Sequence, residues 1–287
     1  MRALAGTCRA ILILTAIVSS QAISTWADEL VTFDSARYIV GSLQQRLARE
    51  RGEIASSAPV TQLQGYLSKP DGNGPFPAVV YLHGCGGLTA SVRKSAAEQL
   101  TRWGYAALAV DSFTTRGIKE ACVTPWPDRL ADAFGALLYL SKLPFVDRQR
   151  VALVGHSQGG MAALQAASFH LFDLFELPSG LNFRAAVAFY PQCNAAEDQL
   201  ALPTLIMIGE LDEWSPIKLC EWWLQRRNGK GAPVKLIVYP EAFHGFDNLA
   251  LRSGMTFYFG HWLKYDPNAA ERSSEAMRDF LAEQLLN

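Results

Sequence analysis

The chain has little charge and no excess of either sign. Charged residues make up 18% of its 287 positions, with 26 lysines and arginines against 27 acids. A phosphate backbone needs a basic surplus, so nucleic acid is not an expected partner. Cysteines are few, five in all, and none forms a C-x-x-C pair, which argues against zinc and thioredoxin-like sites and leaves no metal or cofactor expected. No apolar run reaches the roughly 20 residues that a spanning helix needs. Internal repeats, linkers and breaks in composition are also missing. What the chain does have is apolar residues, at 49%. That is enough for a sizeable core and excludes a disordered chain.

The first 27 residues read as a leader. Arg2 and Arg9 make a short basic start, residues 10–18 are apolar, and small and polar residues lead to Thr25-Trp26-Ala27 before Asp28. Basic, apolar, then small is the order of a secretory signal peptide. Cleavage is expected after Ala27, with residues 22–24 as the alternative site; an uncleaved anchor or a buried N-terminal helix is the competing reading. Export predicts a periplasmic or secreted protein with no membrane span after cleavage. It also removes Cys8 and leaves Cys85, Cys122, Cys193 and Cys220, an even number in an oxidising compartment.

Residues 28–287 are expected to form a single α/β domain. An alternating strand at 61–67 ends in Lys69-Pro70-Asp71-Gly72, a turn. Continuous apolar runs follow at 78–82, 105–110, 151–154, 185–190, 204–208 and 235–239, the pattern of strands buried on both faces. Helix-period segments lie at 91–103, 128–143, 158–169, 216–227 and 274–286. The alternation predicts a mostly parallel central sheet with helices on both faces. An amphipathic helix is expected at 36–53, within an N-terminal extension covering 28–60. The segment 171–183 is too short for a large lid domain.

The chemistry begins at Gly155-His156-Ser157-Gln158-Gly159, a G-x-S-x-G placed between a buried strand and an apolar helix. In that context it forms a sharp turn that lifts a serine hydroxyl to the helix N-terminus. The glycines are needed because a side chain would clash in the turn. Ser157 is therefore the candidate nucleophile, and the N–H of Gln158 a candidate oxyanion donor. The side chain of His156 is expected to pack away from the reacting face.

Such a serine needs an acid and then a histidine later in the chain. Asp212 lies just past the run 204–208, and His244 just past the run 235–239, both at strand ends where sites of α/β sheets form. Glu210 and Asp247 are rival acids. His170 and His261 fall in helix-period stretches and are read as structural. Upstream, His83-Gly84-Cys85-Gly86-Gly87 resembles the HGGG-type loop of esterases, with the N–H of Cys85 as the second oxyanion donor. Phe113, Trp126, Tyr190, Trp214 and Phe246 are candidates for a pocket rim, and Arg116 for holding a substrate carboxylate.

These motifs resemble the dienelactone hydrolase family of the α/β-hydrolase superfamily, in an exported, serine-nucleophile form. Gly65-Tyr66-Leu67-Ser68-Lys69-Pro70, the His83–Gly87 loop, Asp111-Ser112-Phe113, Pro144-Phe145-Val146-Asp147, Phe189-Tyr190-Pro191 and His244-Gly245-Phe246 carry the likeness. The resemblance runs from about residue 62 to the C-terminus. It implies an α/β-hydrolase fold, a nucleophile–Asp–His set at Ser157, Asp212 and His244, and no metal. Two departures bear on specificity: the family's namesakes carry cysteine where Ser157 stands and a glutamate where Gly84 stands. In this fold neighbouring strands set their C-terminal loops side by side, so Cys193 with Cys220 and Cys85 with Cys122 are candidate disulfides. The expected function is hydrolysis of a small carboxylic ester or lactone. A small serine peptidase or acyl transferase on the same fold, or a binding protein that has lost catalysis, are the alternatives.

Overall fold

The computed structural model describes residues 28–286 apart from 58, 124 and 125. The expected signal segment lies outside the described residues. Eight strands form one sheet: β1 (Glu29–Asp34), β2 (Gln62–Ser68), β3 (Phe76–Leu82), β4 (Ala106–Asp111), β5 (Val146–His156), β6 (Ala185–Phe189), β7 (Thr204–Gly209) and β8 (Val234–Tyr239). Their spatial order is β1-β2-β4-β3-β5-β6-β7-β8. Strands β3 to β8 run parallel, and β2 lies antiparallel to both β1 and β4. Every residue of β4, β6 and β7 is buried, so these strands read in sequence as unbroken apolar runs.

The helices are α1 (Ser42–Glu50), α2 (Ala90–Arg102), α3 (Arg129–Leu140), α4 (Gln158–Ala166), α5 (Ile217–Arg227) and α6 (Pro267–Leu285). Thr89, Asp128 and Asp266 cap α2, α3 and α6 by accepting the N–H groups of Val92, Ala131 and Ala269. From β3 the chain crosses over α2 to β4 on one side; from β5 it crosses over α4 to β6 on the other. Right-handed crossovers in opposite directions put α2 and α4 on opposite faces of the sheet. The reversal between β3 and β5 opens a crevice at their C-terminal ends, where Leu82 pairs with Gly155. The two glycine-rich motifs of the sequence both end there.

Four elements differ from the sequence reading. The helix expected at 36–53 is only α1, and none of its residues is buried. Residues 36–40 run extended instead, because Ala36 N bonds Ala131 O, Ile39 N bonds Leu174 O, and the Tyr38 hydroxyl donates to Asp128 at 2.7 Å. Strand β1 was not expected; only Val31 and Phe33 of it reach the core, too few apolar positions to stand out. The last helix begins at Pro267 because the Asp266 carboxylate, followed by proline, caps it there. A hairpin of β9 (Thr256–Tyr258) and β10 (His261–Leu263) was also unforeseen, so His261 is on a strand rather than a helix. His170 likewise lies in a turn past the end of α4.

Candidate active site

Ser157 sits at the turn between β5 and α4 with φ 53° and ψ −115°, a conformation that a non-glycine residue holds only when its surroundings force it. The turn is tight enough to exclude side chains at its neighbours. A Cβ on Gly155 would lie 2.0 Å from Gly159 O, and one on Gly159 would lie 2.2 Å from Leu82 O. Ser157 N donates to Phe189 O at 2.9 Å, which ties the turn to β6.

Asp212 and His244 arrive from the loops after β7 and β8. Those loops are braced together by Leu211 N donating to Ala242 O at 2.9 Å. Asp212 Oδ1 accepts the N–H groups of Trp214 (2.9 Å) and Ser215 (2.7 Å), and its Oδ2 accepts from His244 Nδ1 at 2.8 Å. His244 Nε2 faces the Ser157 hydroxyl at 3.0 Å. With the carboxylate taking the proton on Nδ1, Nε2 is left to accept from serine. Both Asp212 and His244 are buried. Tyr190 and Trp214 hold the imidazole between them, with ring centroids 4.5 and 5.1 Å away, and His261 stacks on Trp214 from the hairpin. Glu210, a rival acid, faces the backbone of Glu241 instead.

The loop after β3 is locked from behind. The Arg129 guanidinium donates to His83 O and to Gln158 Oε1, both at 2.8 Å. Burial pushes its pKa down to about 10. Ala121 N donates to Cys85 O, Gln158 Nε2 donates to Ala121 O, and a disulfide joins Cys85 to Cys122. Ser112 N donates to His83 Nε2, so His83 carries its proton on Nδ1 and gives it to Gly84 O at 2.6 Å. Burial, with Arg129 close by, keeps that ring neutral. The amides of Cys85 and Gln158 have no protein acceptor among the described residues, leaving both N–H groups for a ligand. A second disulfide, Cys193–Cys220, ties the segment after β6 to α5, with Cα atoms 4.8 Å apart.

Three residues beside Ser157 form a cluster the sequence did not announce. His156 Nε2 donates to Asp247 Oδ2, and the Tyr190 hydroxyl donates to Asp247 Oδ1, both at 2.8 Å. Burial raises the Asp247 carboxyl, but the adjacent His156 and the two hydrogen bonds outweigh it and hold the group below the usual carboxylate range. Burial and Asp247 together push the Tyr190 phenol well up. His156 therefore does not pack away from the reacting face as expected: it stacks on Phe189 and forms part of the cavity wall. The pairing across 91 residues has no signature in sequence spacing.

A cavity of about 260 Å³ opens over Ser157 and His244. Of the expected rim residues, Tyr190 and Trp214 line it. Phe113 does not. Asp111 takes the N–H groups of Phe113 and Thr114 and turns the chain inward, so the ring packs edge-on against His83 in the core. Phe246 is also fully buried, against Tyr190 and Tyr239. Trp126 is exposed at the surface, outside the cavity. Arg116 is not available for a substrate carboxylate, because it makes a two-pronged ion pair with buried Asp132 at 2.7 and 2.8 Å. The hairpin supplies the rim instead, through Tyr258 and Leu263, together with Leu249 and the exposed face of α2. Among the described residues no cluster of His, Cys, Asp and Glu could hold a metal ion.

Comparison with known proteins agrees with this architecture. A Bradyrhizobium protein named for 2-oxo-3-(5-oxofuran-2-ylidene)propanoate lactonase activity is 26% identical over 198 residues, 63% of this chain and 77% of its own. The crystal structure of a dienelactone hydrolase from Anabaena variabilis superposes with a TM-score of 0.56 at 20% identity, covering 90% of this chain and 99% of that one. Esterase 2 of Thermogutta terrifontis, phosphorylated by paraoxon, gives a TM-score of 0.57 at 21% identity, over 78% of this chain and 89% of its own. The model of the dienelactone hydrolase family matches residues 63–285, nearly the whole sheet and its helices. The chain belongs to the dienelactone hydrolase family and is a carboxylic ester hydrolase of that kind.

Proposed function

We propose that the protein hydrolyses a carboxylic ester or lactone through an acyl-enzyme on Ser157. The observation that carries the reading is the continuous contact from Ser157 Oγ to His244 Nε2 at 3.0 Å and from His244 Nδ1 to Asp212 Oδ2 at 2.8 Å. Ser157 attacks the carbonyl carbon while its proton passes to His244 Nε2. Asp212 keeps the ring oriented and stabilises the imidazolium that forms. The oxyanion sits between the N–H groups of Cys85 and Gln158, and each such donor lowers the barrier by about 2.7–4 kcal/mol. His244 then returns the proton to the departing alkoxide. Water repeats the attack on the acyl-enzyme, with His244 as base, and the acid leaves. In a lactone the alkoxide remains tethered to the acyl group, so a single hydroxy acid is released.

The esterase phosphorylated by paraoxon suggests that an organophosphorus reagent would trap Ser157 here too. Replacing Ser157 with alanine tests the reading: kcat should fall by several orders of magnitude, with a melting temperature close to the parent's. A variant that keeps more than about a tenth of the activity would mean another nucleophile. Export is part of the proposal, supported by the order of residues in 1–27 and by two disulfides, which persist in oxidising compartments. N-terminal sequencing of the protein from the exported fraction should begin at Asp28; a start at Met1 would count against cleavage.

A further inference from the structure

We infer that the cavity over Ser157 takes uncharged esters and rejects substrates that carry a free carboxylate. This rests on the reading of Ser157 as nucleophile and adds a substrate class to it.

The cavity is poor in charge. Its wall is made largely of apolar and aromatic groups such as Val92, Trp214, Leu249, Tyr258 and Leu263. Among the described residues that line it there is no lysine and no arginine. Four cations of neighbouring elements are engaged elsewhere. Arg116 is held by Asp132, and Arg129 faces His83 O and Gln158 behind the oxyanion loop. On α2, Arg93 pairs with Asp28 at 2.6 Å and Lys94 lies beside Glu98.

Among the described residues that line it, Asp247 is the one carboxylate, and its oxygens are closed to a ligand. Each oxygen of Asp247 already takes a hydrogen bond, from His156 and from Tyr190. The remaining nitrogen of His156, Nδ1, is sealed from solvent and is not offered to a ligand. A carboxylate entering this space would lose water and find no cation, which is costly, whereas an alkyl chain would only exchange water for aromatic and aliphatic wall. The Bradyrhizobium relative is named for a lactone that bears a carboxylate. The described wall of this cavity offers such a group no cation.

The test compares two esters of equal length, p-nitrophenyl hexanoate and mono-p-nitrophenyl adipate, which differ by a terminal methyl against a carboxylate. The expected kcat/KM is lower for the adipate by about 100-fold, the low end of the cost of an unpaired buried charge because the cavity opens to solvent. Ser95 lines the cavity from an exposed position on α2. Ser95→Arg should raise the adipate-to-hexanoate ratio of kcat/KM about tenfold, as a new ion pair within the cavity would. Equal rates for the two esters, a faster adipate, or a Ser95→Arg variant with an unaltered ratio would overturn the inference while leaving the nucleophile reading intact. If neither ester is turned over and a fluorophosphonate leaves Ser157 unlabelled, the reading of the nucleophile fails, and the inference with it.

Discussion

Replacing Asp212 with asparagine should disable the site without disturbing the fold, and the hydrogen bonds say why. Asp212 Oδ1 accepts two backbone N–H groups, from Trp214 and Ser215. An asparagine amide must keep its oxygen there, because turning its NH₂ toward two donors would leave both unsatisfied, at about 1–3 kcal/mol each. The NH₂ is therefore forced onto the Oδ2 position, facing His244 Nδ1 at the present 2.8 Å. Donating to Nδ1 drives the histidine proton onto Nε2, and a protonated Nε2 cannot take the proton of Ser157. The same substitution in a serine protease triad costs about 10⁴ in kcat, or roughly 5.4 kcal/mol at 1.36 kcal/mol per decade. The assay is steady-state hydrolysis of a p-nitrophenyl ester beside a thermal melt. A loss near that size with an unchanged melt is expected. A variant that stays within about tenfold of the parent, a small fraction of the loss expected for the wrong tautomer, would refute the assignment of Asp212.

Other perturbations bear on the surrounding structure. Gly159→Ala should fail to fold or lose nearly all activity, since its Cβ would lie 2.2 Å from Leu82 O and 2.6 Å from His83 O; circular dichroism and esterase assay check it. Removing the Cys193–Cys220 disulfide, which closes a 27-residue separation, should lower unfolding free energy by about 3.5 kcal/mol in a denaturant titration of the Cys193→Ser/Cys220→Ser protein. The Asp247 carboxyl is held below its ordinary value of about 3.9. Its contribution to stability is thus complete above that pH and is lost as pH falls through the depressed value. Asp247→Asn should therefore melt below the parent at pH 7, with the gap narrowing as pH falls below the ordinary carboxylate range; a gap independent of pH would contradict the linkage.

The sheet was legible because its central strands are buried on both faces, so β3, β4, β6 and β7 appear as apolar runs. β1, with two inward residues, and the exposed hairpin of β9 and β10 carry no such signal. Ser157, Asp212 and His244 stand out in the sequence because each follows a readable strand directly. The cavity wall was much less visible. Phe113, Phe246 and Arg116 lie just past strand ends, as rim residues do, but a side-chain turn at Asp111, core packing around Tyr239 and an ion pair to Asp132 draw them inward. The last of these did leave a trace: Arg129 and Asp132 are the two charged residues of an otherwise largely apolar α3, and both are buried. Such charges need partners, and here Asp132 partners Arg116 while Arg129 braces the oxyanion loop. The His156–Asp247–Tyr190 cluster joins three segments far apart in sequence, so only the folded chain reveals it.

The central claim is that Ser157 is the nucleophile. Its most direct measurement is peptide mass spectrometry of the full protein after reaction with a fluorophosphonate, alongside titration of the remaining esterase activity. One adduct per chain is expected, on the peptide holding Gly155–Gly159 and at Ser157 itself, with activity falling in proportion to labelling. An adduct at another residue, or full activity retained with Ser157 fully labelled, would contradict it.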